Sequence, residues 1–221
     1  MDVQTLRDTL LSGNPILVFD FEEREGETDM VYYAENFSWR YIRRLRRDAG
    51  GLICYVIGEP EAKSLLLEPL YKSLNRHPSY HWLVKKPSYG DFPAFSLWVN
   101  HVSTKTGISD FDRAKTISEL HKVVEIAAKD PSRALSDFRS GFYAPGHVPV
   151  LVARSLSERR GHTELVASLA TILGLKRSMV IAEMLGPKYS LTREAARRYA
   201  MSKGLPLVSG KEILEAKEIE A

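Results

Sequence analysis

The sequence lacks the features that mark several common classes of protein. It has a single cysteine, Cys54, so it can form no internal disulfide and no cysteine-based zinc or iron–sulfur site. No apolar run is long enough to cross a bilayer, and the N-terminus lacks the pattern of a signal peptide. Lysine and arginine total 31 against 28 acids, and a net charge of +3 gives weak support to a nucleic-acid or membrane partner. We therefore expect a reduced, cytoplasmic protein that binds neither nucleic acid nor membranes.

The residues that are present are typical of one globular domain. Hydrophobic residues make up 44% of the 221 residues and charged residues 27%, which is enough apolar material for one good-sized core. The length therefore predicts a single domain over residues 1–221.

Hydrophobic patterning predicts alternating strands and helices. Short apolar runs predict strands at 16–19, 30–33, 52–57, 95–99, 147–153, 179–182 and 205–208. Helical spacing and capping residues predict helices at 3–11, 39–49, 59–70, 112–129, 163–173 and 192–203, with another from residue 211. Apolar residues show no regular spacing in 71–92, and this predicts a long loop. Long loops in compact domains are often functional. We expect a layered sheet of mixed strand direction, because the link between the first two strands is too short for a crossover helix.

An acidic stretch joins the first two predicted strands. Asp20-Phe21-Glu22-Glu23-Arg24-Glu25-Gly26-Glu27-Thr28-Asp29 holds five carboxylates between Glu22 and Asp29. Crowded carboxylates repel one another, and a divalent cation relieves that repulsion, while Arg24 could bind a phosphate or a carboxylate. A solvated turn is an equal alternative on composition alone.

A basic segment precedes the apolar helix predicted from Thr163. Arg159, Arg160 and Gly161 lead into this helix, whose free N–H groups favour an anion such as phosphate. His162 is a candidate metal ligand, because neutral imidazole binds metals. A capped helix with exposed arginines explains the same residues equally well.

Three further residues attract attention but are weak evidence by themselves. His147 follows a Pro-Gly turn at the start of a predicted strand, and Glu183 ends another. Sites often gather at strand ends, although such residues are more often structural. Cys54 lies within a predicted strand and most simply packs as a small hydrophobic residue.

Taken in order, these segments resemble the 3,4-dihydroxy-2-butanone 4-phosphate synthase family of riboflavin biosynthesis. The resemblance covers most of the chain. It rests on Asp20–Met30 with Ala34-Glu35, Gly51-Leu52-Ile53-Cys54, Thr106-Gly107-Ile108-Ser109 with Asp112-Arg113, Pro145-Gly146-His147-Val148, Arg160-Gly161-His162-Thr163-Glu164, and Glu183.

The resemblance implies a fold, a reaction and an assembly. The fold is α+β, a three-layer α/β/α sandwich around a mixed, partly antiparallel sheet. The reaction converts D-ribulose 5-phosphate to L-3,4-dihydroxy-2-butanone 4-phosphate and formate with Mg²⁺ or Mn²⁺. Members are usually homodimers with active sites at the subunit interface. The chain would be the monofunctional form, because a fused cyclohydrolase domain would need more residues and zinc-binding cysteines.

The resemblance also implies roles for individual residues. Glu25 and His162 would bind the metal, His147 and Glu183 would be the catalytic pair, and Glu27 and Asp29 would assist by orienting hydroxyls or water. The positions implied to contact the substrate are Arg24, Glu25, Asp29, Cys54, Thr106, Asp112, Arg159, Arg160, Gly161, His162, Thr163 and Glu183.

The sequence departs from the family pattern at several positions. Gly26 and Thr28 stand where the family often has Asn and Gly, and Thr28 restricts the backbone of the acidic loop. Ala144 replaces an arginine before Pro-Gly-His, and Arg160 replaces the first of two glycines before the metal histidine. Residues 71–92 match the family least.

Two alternative functions compete with this one. A different metal-dependent phosphosugar isomerase or aldolase would use the same acids and phosphate loop, and the detection of formate separates it from the synthase. An RNA-binding protein would use the arginines of 40–47 and 193–198, although the small net charge argues against it. For those arginines, a solvated helix face or a dimer contact is the simpler explanation.

Overall fold

The computed structural model describes residues 1–220, with side chains described as far as Lys217. Within this range one seven-stranded sheet has the order β4-β5-β3-β6-β2-β1-β7. The strands are β1 (Ile16–Phe19), β2 (Thr28–Tyr33), β3 (Cys54–Gly58), β4 (Phe95–His101), β5 (Phe142–Ala153), β6 (Ser178–Glu183) and β7 (Leu207–Ser209). β3 pairs with β5 and β1 with β7 in parallel, and the other neighbours are antiparallel. The expected mixed sheet is confirmed.

Helices cover both faces of the sheet. They are α1 (Val3–Leu11), α2 (Trp39–Arg44), α3 (Glu59–Ser64), α4 (Leu70–Arg76), α5 (Asp110–Ala127), α6 (Pro131–Gly141), α7 (His162–Ile172), α8 (Arg193–Lys203) and α9 (Gly210–Glu220). Because successive strand residues point to opposite faces, Leu17 and Ile16 enter separate cores. One core contains residues of α2 and α5, and the other contains residues of α1 and α7. The three-layer α/β/α sandwich is therefore confirmed.

The structure differs from the sequence-based expectations in several connections. A helix, α4, and a short 3₁₀ turn (His81–Leu83) lie within the segment expected to be a loop. Pro131 starts α6 instead of merely ending α5, because proline is tolerated at the first helical position and the Asp130 side chain accepts the Arg133 N–H. The helix expected over 59–70 ends early, at Ser64, and Leu66 has a left-handed φ of 57°.

Capping residues explain other helix boundaries. The side chains of Ser38 and Thr192 accept backbone N–H groups at the starts of α2 and α8. After α2 a π-helical turn runs from Leu45 to Ala49 and ends at Gly50, whose φ is 95°. No helix among the described residues is long and apolar enough to span a bilayer.

Candidate active site

Asp20 gives the acidic loop between β1 and β2 its shape. Its side chain is buried, and its carboxylate accepts the backbone N–H of Glu27 at 2.9 Å and that of Glu25 at 3.2 Å. Gly26 between them has a φ of 66°, a value that glycine adopts without the cost that a side chain adds. This local network turns the Glu25 side chain toward the start of α7.

Glu25 and His162 meet although the sequence separates them widely. His162 is the first residue of α7, and its Nδ1 lies 3.5 Å from Oε2 of Glu25. One ligating atom each from Asp20, Glu25 and His162 lies within 4.8 Å of the others. The Nε2 atom of His162 is 3.2 Å from the Glu27 carbonyl oxygen and 3.7 Å from Oδ1 of Asp29. The cluster therefore combines an imidazole with carboxylates whose side chains are largely buried.

The charges in this cluster shift one another's pKa values. Burial alone would lower the pKa of His162, but the carboxylates of Asp29 and Glu25 outweigh burial and raise it to about 9. Burial would raise the pKa of Glu25, yet its hydrogen bond to His162 and the charge of Arg24 lower it to about 2. Glu25 is therefore ionised throughout the neutral range, as a metal ligand must be.

Asp29 and Glu183 form a pair of carboxyl groups beside the His162 cluster. They are directly opposite in the antiparallel pairing of β2 with β6, so their side chains lie on the same face of the sheet. Burial raises the pKa of Asp29 to about 7. The positive charge of His162 opposes this shift, and the negative charges of Glu183, Glu25 and Glu27 add to it. Burial and the charges of Glu27 and Glu25 also raise the pKa of Glu183. Both groups can therefore exchange protons nearer to neutral pH than ordinary carboxyl groups.

A cavity of about 210 Å³ joins half of the expected site residues. Its polar lining consists of Glu25, Asp29, Cys54, Tyr89, Arg159, His162, Thr163 and Glu183. Burial holds the pKa of the Cys54 thiol well above its usual value, so this side chain is a neutral part of the wall. Leu52, Phe95 and Ile181 supply an apolar lining on the same cavity.

Arg159 supplies a positive charge to the cavity wall. Its side chain is buried and one guanidinium nitrogen donates to the buried carboxylate of Glu164, while its Nε has no hydrogen-bond partner among the described residues. An added Cβ on Gly161 would collide with this guanidinium, so a larger residue there would have to displace the Arg159 side chain. Thr163 lies beside it in the first turn of α7, and Arg160 points to solvent.

Arg24 is held next to the cavity by Glu25 and by two residues, Asp91 and Tyr89, that no sequence motif indicates. Its guanidinium contacts Glu25 at 2.8 Å and Asp91 at 3.2 Å, and it stacks 4.5 Å from the centre of the Tyr89 ring. Tyr89 lies in the segment 71–92, whose lack of periodicity indicated a functional loop but did not point to this residue.

Glu27 is also positioned by a residue without an assigned role. Its side chain accepts a hydrogen bond from the hydroxyl of Ser190, which follows β6. No pattern in the sequence links the two residues, because their contact depends on how the two loops meet.

The remaining expected site residues form a second cluster around Asn100. The Asn100 amide oxygen accepts the backbone N–H of His147 at 2.8 Å, and an added Cβ on Gly107 would collide with this amide. Asp112 accepts the backbone N–H groups of Gly107 and Thr106 at 3.0 and 3.2 Å, which fixes the loop before α5. None of these residues lines the cavity described above.

This second cluster lies toward the β4 edge of the sheet. His147 and Glu183 are on β5 and β6, with β3 between them, so their backbones are separated by about two strand spacings, roughly 10 Å. Thr106 follows the edge strand β4, one strand farther away. The structure thus brings His147 to the same region of the sheet as Glu183, and Thr106 and Asp112 lie outside the cavity that contains Glu183.

Half of the arginines considered as a nucleic-acid surface are engaged in ion pairs within the chain. Arg46 contacts Asp110 at 2.8 Å, and Arg44 and Arg47 both contact Asp48. Arg193 contacts Glu22 at 2.8 Å. These pairs neutralise part of the positive charge that an RNA surface would need.

Comparison with known proteins finds similar sequences over most of the chain. A family model for 3,4-dihydroxy-2-butanone 4-phosphate synthase matches residues 4–216. A protein of that name from Methanosarcina acetivorans is 38% identical over 220 residues, covering 95% of this chain and 88% of the relative. A riboflavin biosynthesis protein, RibBA, from Bacillus mycoides is 32% identical over 193 residues, covering 86% of this chain and 42% of its own length.

A solved structure has the same fold. The crystal structure of a 3,4-dihydroxy-2-butanone 4-phosphate synthase in complex with two magnesium ions superposes with a TM-score of 0.75 at 24% identity. The superposition covers 98% of this chain and 96% of that one.

Proposed function

Because the chain belongs to the 3,4-dihydroxy-2-butanone 4-phosphate synthase family of riboflavin biosynthesis, we propose that its Glu25–Glu183 cavity converts D-ribulose 5-phosphate to L-3,4-dihydroxy-2-butanone 4-phosphate and formate. The assignment rests on one observation: Oε2 of Glu25 lies 3.5 Å from Nδ1 of His162, in the cavity that Asp29 and Glu183 also line. The reaction needs a metal-assisted enolisation, a dehydration, a skeletal rearrangement and the loss of one carbon as formate.

The donor set fits a divalent metal. Glu25 and His162 would hold it, with Asp20 as a nearby acid whose oxygens already accept backbone N–H groups. Oδ1 of Asp29 is buried without a hydrogen-bond partner among the described residues, which fits a polar group reserved for a ligand or its water. Carboxylate and imidazole donors suit Mg²⁺ or Mn²⁺. When bound, such an ion supplies Lewis acidity to sugar oxygens and neutralises the negative charge that develops on them.

Glu183 is the proposed base for enolisation. Its carboxylate faces the cavity, and its raised pKa makes it a better proton acceptor than an ordinary glutamate. The substrate proton beside the carbonyl would pass to this carboxylate. Asp29, whose pKa is raised to about 7, would hold or donate a proton to a neighbouring hydroxyl at the dehydration step.

His147 is proposed to move protons at the other end of the substrate. About 10 Å separates its backbone, within β5, from that of Glu183 at the end of β6, and both residues lie in one region of the sheet. Asn100 fixes its backbone, which favours a defined approach of the imidazole to the sugar.

Arg159 and the start of α7 are proposed to bind the phosphate. Arg159 contributes a buried guanidinium with an unpartnered Nε, and the first N–H groups of a helix have no intrahelical acceptors. Thr163 adds a hydroxyl donor, and Arg24 contacts Glu25 at 2.8 Å. These groups would anchor the phosphate while the carbon chain extends toward Glu25 and Glu183.

We also propose that the enzyme works as a homodimer with shared active sites. Thr106 belongs to the cluster around Asn100 near the edge strand β4 and does not line the cavity that contains Glu183, so we assign it to the active site of the partner subunit. Exposed apolar side chains surround this edge, and burying them in a symmetric dimer would be favourable. They are Leu97, Trp98, Val102, Ile108, Phe111 and Tyr143.

The direct test is incubation of the purified protein with ribulose 5-phosphate and Mg²⁺ or Mn²⁺, followed by measurement of formate. We expect one formate per substrate consumed, and no formate after the metal is removed with a chelator. Consumption of ribulose 5-phosphate without formate would instead identify an isomerase or an aldolase.

A further inference from the structure

A second histidine, His121 on α5, is held in a defined orientation away from the proposed active site. It is 4% exposed, and its Nδ1 lies 2.8 Å from the hydroxyl oxygen of Ser178. That hydroxyl lies 2.6 Å from the phenolic oxygen of Tyr55, so three buried polar groups form a chain. The ring of Tyr33 packs edge-on against the imidazole, with 5.3 Å between ring centres. The imidazole is therefore fixed on one side.

The other ring nitrogen of His121 is left for a ligand. Nε2 is buried and has no hydrogen-bond partner among the described residues, and it lies 4.0 Å from Oε1 of Glu125, one helical turn farther along α5. A cavity of about 590 Å³ is lined by His121, Glu125 and Glu35, the last of which follows β2. Burial lowers the pKa of His121, which keeps the imidazole neutral and able to bind a metal.

The acids around this cavity are not equivalent. Glu119 contacts both Lys115 and Lys122 at 2.8 Å, so its charge is already compensated. Glu125 has no such lysine contact among the described side chains; its nearest charged neighbour there is His121. Glu119 is thus a natural internal control for any role of Glu125.

We propose that His121 and Glu125 bind a divalent transition metal of the zinc class. Zinc–nitrogen and zinc–oxygen bonds are each about 2.1 Å, and tetrahedral ligands stand about 3.4 Å apart. The observed 4.0 Å gap would close by a small movement of the half-exposed Glu125 side chain. The Ser178 hydroxyl oxygen would accept a hydrogen bond from the Nδ1–H group, as the outer hydrogen-bond partners of metal-bound histidines do.

The test measures binding of Co²⁺, a spectroscopic substitute for zinc, to the full chain carrying His162→Asn. This background removes the metal ligand proposed for the active site. We expect one equivalent of Co²⁺ with visible absorption bands of a low-coordinate site. Adding Glu125→Gln should weaken binding at least about 10-fold, and adding Glu119→Gln should leave it unchanged.

A second measurement avoids dependence on the His162 background. Zn²⁺ should raise the melting temperature of the otherwise unchanged protein more than it raises that of the Glu125→Gln variant. Absence of the Co²⁺ bands, or equal effects of Glu125→Gln and Glu119→Gln on Co²⁺ affinity, would overturn the proposal. Either result would leave the formate assay, and so the proposed reaction, unaffected.

Discussion

Asp29 and Glu183 stand directly opposite each other on β2 and β6, with both side chains on the cavity face of the sheet. Two carboxyl groups in this relationship cannot both ionise easily, because each charge opposes the other and burial opposes both. The pair therefore supplies one group that keeps its proton near neutral pH and one that can accept a proton. The pair also gives the protein a pH dependence that can be measured.

The stability of the metal-free protein should fall as Asp29 ionises. The pKa of Asp29 is about 7 in the folded chain and about 4 when unfolded, so the folded state holds a proton that the unfolded state releases between these values. The contribution of this bound proton to the free energy of unfolding is fully present below about pH 4 and is lost as the pH rises to about 7. Asp29→Asn should therefore gain stability relative to the unchanged protein over this interval, by up to about 4 kcal/mol.

Urea unfolding at pH 4.5 and pH 8, in the presence of a chelator, measures this difference. A difference between the two proteins that does not change with pH would show that Asp29 ionises normally.

Removing either proposed metal ligand should abolish metal-dependent turnover. Glu25→Gln and His162→Asn should each lower formate release by about 1000-fold or more, because a catalytic metal contributes several kcal/mol of transition-state stabilisation. Glu23→Gln is the matched control, since Glu23 lies in the same loop with its side chain exposed. Near-normal activity of Glu25→Gln at saturating Mg²⁺ would be incompatible with the metal assignment.

Gly51 should be required to position Glu183. Its N–H donates to the Glu183 carbonyl oxygen at 3.0 Å, and an added Cβ would lie only 2.7 to 2.9 Å from the Glu183 backbone and Cβ. Gly51→Ala should cost about 1 to 3 kcal/mol of stability and lower kcat, because strand backbone cannot easily move aside. Gly141→Ala is the control, since its Cβ would meet His101 at an ordinary 3.5 Å. Thermal unfolding and formate release at saturating substrate would measure the two effects.

Asp20 should act through the shape of the acidic loop. Asp20→Asn leaves one side-chain oxygen where two now accept the N–H groups of Glu25 and Glu27. We expect a loss of about 1 to 3 kcal/mol in stability and a weaker apparent affinity for Mg²⁺, with turnover partly restored at high Mg²⁺. If activity is lost and no Mg²⁺ concentration restores it, Asp20 takes a direct part in the reaction instead.

Shared active sites predict that two defective variants complement each other. Glu183→Gln should be inactive, and Thr106→Ala should be impaired, each as a pure protein. After the two are unfolded together and refolded, half of the dimers should be mixed, and each mixed dimer should contain one intact site. Activity should then recover to about a quarter of that of the unchanged enzyme. Recovery no greater than the contribution of Thr106→Ala alone, or a monomer in sedimentation, would contradict the shared site.

Local patterns were sufficient to locate most of the sheet. The apolar runs at Ile16–Phe19 and Ser178–Glu183 form strands as expected, because continuous burial on both faces leaves a clear mark on the sequence. Connections were harder to predict. Pro131 is compatible both with the end of one helix and with the start of the next, and the choice depends on the Asp130 cap and on packing. Similarly, α4 has no buried residue, so it leaves no apolar stripe to detect.

The sequence by itself determined the chemical content of this protein: an acidic loop, a Gly-His-Thr helix start, and motifs whose order indicates the family. Only the tertiary structure decided which of these groups meet. Glu25, Asp29, His162 and Glu183 share a cavity, while His147, Thr106 and Asp112 gather around Asn100. Tyr89 and Ser190 join the site through loops that no motif describes. The physical reason is that a motif fixes residue type and local backbone, whereas distances between remote side chains depend on strand order and on how the loops pack.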